Sequence, residues 1–98
     1  MDGQFANKHV TVAGLGRFGG AIAAAQWLAQ HGAKVLVTDK SPADKLAASI
    51  RQLDGYPIQF RLGEHRQSDF TDCDLVVASP AIPPTNEYLQ AARSHKVP

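Results

Sequence analysis

Residues 10–39 have the sequence VTVAGLGRFGGAIAAAQWLAQHGAKVLVTD. The runs 10–13 and 35–38 are short and rich in β-branched side chains, which favour buried strands. The alanine-rich segment 18–30 between them has apolar residues at helical spacing, and Gly32 supplies the left-handed residue on which helices commonly end. The pattern predicts a strand, a tight glycine turn, a helix and a second strand parallel to the first.

The glycine turn between the first strand and the helix is the main candidate binding site. It has the pattern G-x-G-x-x-G in the context that gives the pattern its meaning, after a strand and at the start of a helix, where backbone amides hold a phosphate. The alternative is a turn adopted for packing alone. The motif consists of Gly14, Leu15, Gly16, Arg17, Phe18 and Gly19.

The second predicted strand ends on an acidic residue. Asp39 lies 23 residues after Gly16, where folds of this kind place a carboxylate against the ribose or base of a nucleotide. Lys40 is a candidate contact to the same ligand. The alternatives are that Asp39 caps the next helix or is merely solvated at the strand end, and that Lys40 is merely solvated.

The rest of the chain continues the alternation of helices and strands. Further elements are predicted as a helix over 42–53 capped by Ser41, a strand over 58–62 near the sheet edge, a strand over 75–78, an irregular proline-rich segment, and a helix from Thr85 or Asn86 to about His95. Residues 96–98 resemble the approach to a further strand. These elements predict an α/β fold: a Rossmann-like, doubly wound parallel sheet of four to five strands in a single domain spanning 1–98.

Composition excludes several classes of protein. Of the 98 residues, 44% are hydrophobic and 19% charged, and the formal net charge is +1. These values exclude a disordered chain, and they predict neither a nucleic-acid partner nor a membrane partner. The single Cys73 and the absence of a signal-like or membrane-spanning segment predict a cytoplasmic protein.

No catalytic or metal-binding group is predicted in this chain. The four histidines are scattered without metal-ligand spacing and are predicted to lie on the surface; they are His9, His31, His65 and His95. Asp69, Asp72 and Asp74 are predicted to flank a loop and satisfy local backbone donors.

Several segments together resemble the N-terminal domain of the bacterial Mur ligases, from about His9 to Pro98. The segment after the fourth strand and the helix that follows it are the most specific. Within that family, the resemblance is closest to the ligases that add D-glutamate. The segments are GLGRFGG at 14–20, VTDKS at 37–41, LGEH at 62–65, DLVVASPAIPP at 74–84 and NEYLQAARSHKVP at 86–98.

The resemblance implies a function in peptidoglycan biosynthesis. It implies that the domain holds the UDP moiety of UDP-N-acetylmuramoyl-L-alanine, with the diphosphate on the amides around Arg17, Phe18 and Gly19 and the uracil near Asp39 and Lys40. It also implies that Ser79, Pro80 and Ala81 border the same pocket. The parent would be an ATP-dependent ligase with ATP and Mg²⁺ as its cofactors, whose central domain binds ATP and whose C-terminal domain brings the amino acid. Because no G-x-x-x-x-G-K-[ST] motif is present, the isolated domain is expected to hold no cofactor and to be inactive.

Two other interpretations remain open from the sequence. GLGRFG followed by VLVTD also resembles the NAD- or ATP-binding domain that regulates potassium channels and transporters. A third interpretation is the cofactor half of an NAD-dependent oxidoreductase. Fold similarity alone does not separate these functions.

Overall fold

The computed structural model describes residues 6–15, 20–79, 82, 85–95 and 97. Four parallel strands form one sheet in the order β3-β2-β1-β4, which confirms the predicted fold class. The strands are β1 (His9–Ala13), β2 (Lys34–Asp39), β3 (Ile58–Leu62) and β4 (Leu75–Ala78). The predicted strands differ from these by one residue at most at either end, and β3 lies at the sheet edge as expected.

The strand order places a crevice at one edge of the sheet. After β1 the chain crosses over to β2 and then to β3 on one side, whereas β4 lies on the other side of β1. In such sheets ligands bind outside the carboxyl ends of the strands, where the order reverses. Here that point lies between β1 and β4.

Helices cover both faces of the sheet because successive residues of a strand point to opposite faces. On the first face, Val10 and Val12 of β1 and Val35 and Val37 of β2 pack in one buried cluster with α1 (Gly20–Gln30). On the second face, Ala13 packs with residues of α3 (Gln67–Thr71) and α4 (Glu87–Ser94). The second cluster is smaller and consists of Ala13, Phe70, Leu89 and Ala92.

The helix predicted over 42–53 begins differently in the structure. The chain first forms a 3-10 turn over Ala43–Leu46, and α2 follows over Ala47–Gln52. Ser41 does not cap it: Pro42 occupies the cap position and no side chain bonds the first amides. The backbone amide of Ser41 instead donates to the Asp39 carboxylate, so residue 41 belongs to the end of β2.

The loop predicted before the fourth strand contains α3, so that prediction was wrong. Phe70 of this helix is 1% exposed and anchors it on the sheet. Two of the three aspartates there bond partners distant in sequence rather than the predicted local donors. The carboxylate of Asp69 pairs with Arg61 of β3, and that of Asp74 accepts from the backbone amide of His9 at 2.9 Å.

The last helix confirms one of the two predicted caps. The Asn86 side chain accepts from the amides of Tyr88 and Leu89, as a helix N-cap does.

In the described ranges, no helix has both the length and the apolar character that crossing a membrane requires.

Candidate functional site

The turn after β1 begins with a glycine that its surroundings require. Gly14 has φ +83°, and its amide donates to the carbonyl of Thr38 at 2.8 Å. A Cβ at this position would lie 3.1 Å from both Ser79 Cβ and Ile82 Cδ1. Gly14 therefore allows the segment after β4 to approach the segment after β1 at close range.

Asp39 joins the carboxyl ends of the two central strands. Its Oδ2 accepts from the backbone amide of Leu15 at 2.8 Å, and its Oδ1 accepts from the amide of Ser41 at 2.9 Å. Leu15 is buried and Asp39 is half-buried. Each carboxylate oxygen can accept more than one hydrogen bond, so Asp39 retains acceptor capacity toward the crevice.

The segment after β4 is held against β1 by its backbone. The amide of Ser79 donates to the carbonyl of Ala13 at 2.8 Å, and the amide of Ile82 donates to the carbonyl of Ser79 at 2.9 Å. Ser79 thus lies at the same edge of the sheet as Gly14.

The structure therefore brings together five of the predicted site residues, which are Gly14, Leu15, Asp39, Lys40 and Ser79. All five follow or end strands β1, β2 or β4 at the carboxyl edge of the sheet, and Lys40 is exposed. The other predicted site residues lie outside the described ranges; they are Gly16, Arg17, Phe18, Gly19, Pro80 and Ala81.

His65 is not the surface histidine that the sequence analysis predicted. Its Nδ1 lies 2.8 Å from Oγ1 of Thr38, which is fully buried. Its ring makes edge contacts with Phe70 and Tyr88, at centroid distances of 5.6 and 5.3 Å. The signal available in the sequence was the position of His65, because LGEH begins at the last residue of β3 and so lies at the same sheet edge as Asp39.

The surroundings of His65 also change its acidity. Burial lowers the pKa of this imidazole below its ordinary value of 6.5. The negative charges of Asp39 and Asp69 oppose that shift, while the positive charge of Lys40 adds to it. The neutral form is therefore favoured beside Thr38.

Comparison with known proteins agrees with the resemblance seen in the sequence. Residues 8–98 match the family described as Mur ligase MurD-like, N-terminal domain. A similar protein from Roseiflexus sp. (strain RS-1) is 50% identical over 91 residues, which cover 93% of this chain and 20% of the relative. One from Geobacter metallireducens is 41% identical over 90 residues, which cover 92% of this chain and 20% of the relative. One from Treponema pallidum is 46% identical over 88 residues, which cover 88% and 16%.

All three relatives are named UDP-N-acetylmuramoylalanine--D-glutamate ligase. This chain spans about one fifth of their length or less. These matches do not favour the interpretation as a channel-regulating domain.

Similarity to solved structures supports the fold alone. The crystal structure of shikimate dehydrogenase from Aquifex aeolicus superposes with a TM-score of 0.62 at 15% identity, over 93% of this chain and 41% of that one. The dehydrogenase shares the Rossmann-like sheet, whereas the family match covers residues 8–98, including the segment after β4. The chain therefore belongs to the MurD-like family of Mur ligase N-terminal domains.

Proposed function

We propose that residues 1–98 form the N-terminal domain of an ATP-dependent Mur ligase and bind the UDP moiety of UDP-N-acetylmuramoyl-L-alanine. The observation that carries the proposal is the arrangement around Asp39. Its carboxylate bonds the amides of Leu15 and Ser41 at the carboxyl edge of the sheet, beside the close approach of Gly14 and Ser79. The proposed binding residues are Gly14, Leu15, Gly16, Arg17, Phe18, Gly19, Asp39, Lys40, Ser79, Pro80 and Ala81.

The diphosphate belongs at the start of α1 in this proposal. An 11-residue helix begins at Gly20, directly after the glycine motif. The first amides of a helix have no partners within it and lie at the positive end of its dipole. They would therefore stabilise the charge of the diphosphate without any metal ion from this domain.

The uracil belongs beside Asp39 and Lys40. A uracil ring offers one N–H donor flanked by two carbonyl acceptors. The half-buried carboxylate of Asp39 suits the donor and the exposed ammonium of Lys40 suits a carbonyl. Because Asp39 is already held by two backbone amides, its orientation is set before the nucleotide arrives, which reduces the entropy lost on binding.

The chemical step belongs to the rest of the parent chain. In the proposed reaction, the terminal phosphoryl group of ATP moves to the carboxylate of the precursor and ADP leaves. The amine of D-glutamate then attacks the acyl phosphate, which forms the amide and releases phosphate. In this proposal the central domain of the parent binds ATP, its C-terminal domain brings the amino acid, and Mg²⁺ is a cofactor of the parent. No catalytic residue is assigned to this chain, and the parent is assigned to the cytoplasm. The 98-residue chain alone would thus be inactive.

A ligand titration tests this function. The chain is titrated with UDP, UDP-N-acetylmuramoyl-L-alanine, NADH and ATP, and the melting temperature and backbone amide NMR shifts are recorded. We expect both uridine nucleotides to raise the melting temperature saturably, because a ligand stabilises the state that it binds. The amides of Leu15, Lys40 and Ser79 should shift together.

A variant with the same change of charge at another position serves as the control. Asp39→Asn should weaken UDP binding, whereas Asp44→Asn, at an exposed position of the 3-10 turn, should bind like the wild type. A saturable response to NADH or ATP without one to UDP would overturn the proposal. Release of phosphate from ATP by the isolated chain with both substrates present would contradict its predicted inactivity.

A further inference from the structure

The connection between β3 and α3 wraps around the carboxyl end of β2. The amide of Gly63 donates to the carbonyls of Asp39 at 3.0 Å and Ser41 at 2.9 Å. The hydroxyl of Thr38 donates to the carbonyl of Glu64 at 3.2 Å. This connection therefore surrounds the strand end that carries Asp39.

His65 joins the connection between β3 and α3 to the helices on the second face of the sheet. Its Nδ1 lies 2.8 Å from the Thr38 hydroxyl, and its ring makes edge contacts with Phe70 of α3 and Tyr88 of α4. Two helices on the second face of the sheet are thereby linked to one buried hydroxyl on β2. The bond to Thr38 also provides the partner that the Nδ1 atom of a partly buried imidazole requires.

The same hydroxyl belongs to the residue that fixes the start of the glycine turn. The carbonyl of Thr38 accepts from the amide of Gly14 at 2.8 Å, and the next residue, Asp39, accepts from the amide of Leu15. A shift of the end of β2 would thus move both hydrogen bonds that tie β2 to the turn. Neither His65 nor Thr38 is among the residues proposed to touch the nucleotide.

We infer that His65 is a positioning residue for the nucleotide: its hydrogen bond to Thr38 holds the end of β2 so that Asp39 and the turn at Gly14 keep the geometry that binds uridine diphosphate. The inference rests on the proposed function. In this inference His65 does not touch the nucleotide and acts through Thr38, at the same sheet edge as the site.

The test separates positioning from simple packing by removing the bond from either side. Thr38→Val keeps the shape of residue 38 without its hydroxyl, and His65→Phe keeps a ring without Nδ1. His65→Asn removes the ring and restores a polar atom near the position of Nδ1. Thr11→Val is the matched control. Thr11 is also a buried threonine, 2% exposed, whose hydroxyl donates to a backbone carbonyl of α3, that of Asp69.

The dissociation constant for UDP is measured for each variant of the 98-residue chain by NMR titration. Loss of its one neutral hydrogen bond to Thr38 should weaken UDP binding about fivefold in His65→Phe. Thr38→Val also removes the bond to the Glu64 carbonyl, so it should weaken UDP binding at least as much. The double variant should bind UDP no more weakly than Thr38→Val alone, because Thr38→Val already removes the bond that His65→Phe removes. His65→Asn should recover most of the affinity, and Thr11→Val should lose stability but keep the wild-type dissociation constant.

A measurement without ligand keeps the inference testable by itself. The amide shifts of Leu15 and Ser41, which report the two bonds to Asp39, should move in Thr38→Val and His65→Phe and stay in place in Thr11→Val. Unchanged amide shifts in both Thr38→Val and His65→Phe would overturn the inference. So would wild-type UDP affinity in both variants, and that result would leave the proposed function intact. A wild-type chain that does not bind UDP would overturn the proposed function together with the inference.

Discussion

Replacing Gly14 with alanine tests whether the site depends on the close approach of two segments. Gly14 and Gly55 share nearly the same backbone conformation, with φ +83° and +87°. An added Cβ would meet Ser79 and Ile82 at 3.1 Å in the first case and nothing within 4 Å in the second. Gly55→Ala is therefore a matched control for the cost of a left-handed alanine.

The two substitutions should differ because of crowding. Forcing alanine into a left-handed conformation costs about 1 kcal/mol of unfolding free energy, which is the whole effect expected at Gly55. At Gly14 the same cost applies, and pushing apart two packed side chains adds about 1 to 3 kcal/mol. We therefore expect Gly55→Ala to lower the unfolding free energy by about 1 kcal/mol and Gly14→Ala by about 2 to 4 kcal/mol.

Urea unfolding followed by circular dichroism measures both values. In thermal unfolding the difference corresponds to a melting temperature lower by at least about 5 °C in Gly14→Ala than in Gly55→Ala, given the size of the chain. Gly14→Ala should also weaken UDP binding, whereas Gly55→Ala should not. Equal stability of the two variants would refute the close approach of the segments after β1 and β4.

Three further predictions follow from individual contacts. Asp39→Asn replaces one of two acceptor oxygens with a donor, so the unfolding free energy should fall by about 2 kcal/mol in urea, against less than about 0.5 kcal/mol for Asp44→Asn. Equal losses would show that the two amide bonds of Asp39 contribute nothing. Asn86→Ala should cost about 1 kcal/mol of unfolding free energy through loss of a helix cap, and Thr85→Ala close to zero; the reverse order would move the cap to Thr85. Because burial lowers the pKa of His65 in the folded chain, the unfolded chain binds more protons just below pH 6.5, and stability should fall as the pH drops through that range. His65→Phe should lose this part of the pH dependence in urea titrations from pH 7.5 to 5, and an unchanged profile would contradict the shift.

The sheet was predictable because each of its strands has its own local signal: β1, β2 and β4 contain short apolar runs, and β3 alternates apolar and polar residues. β-Branched residues, glycine turns and flanking breakers mark strands wherever they lie along the chain. The helix α3 had no such signal. It has five residues, QSDFT, too few for a helical period to appear, and it is held by Phe70 against the sheet rather than by its own propensity.

The candidate site was predictable in part for a related reason. Gly14, Leu15 and Asp39 follow from the motif and its distance to the next strand end, because parallel strands place their carboxyl ends at one edge. The prediction that Ser41 caps the next helix was wrong because a capping pattern considers only neighbouring residues. In the folded chain the amide of Ser41 donates to the Asp39 carboxylate at the end of β2. The 3-10 turn starts at Ala43.

Local sequence alone determined the order of the strands, the glycine turn and the acid that ends β2, since each depends on the preferences of neighbouring residues. Tertiary structure decided which distant groups meet: Asp39 with the amide of Leu15, Gly14 with Ser79, and His65 with the hydroxyl of Thr38. These contacts join residues separated by 24 or more positions. Their geometry exists only after parallel pairing has brought the strand ends to one edge, and no pattern within a short window of sequence contains that information.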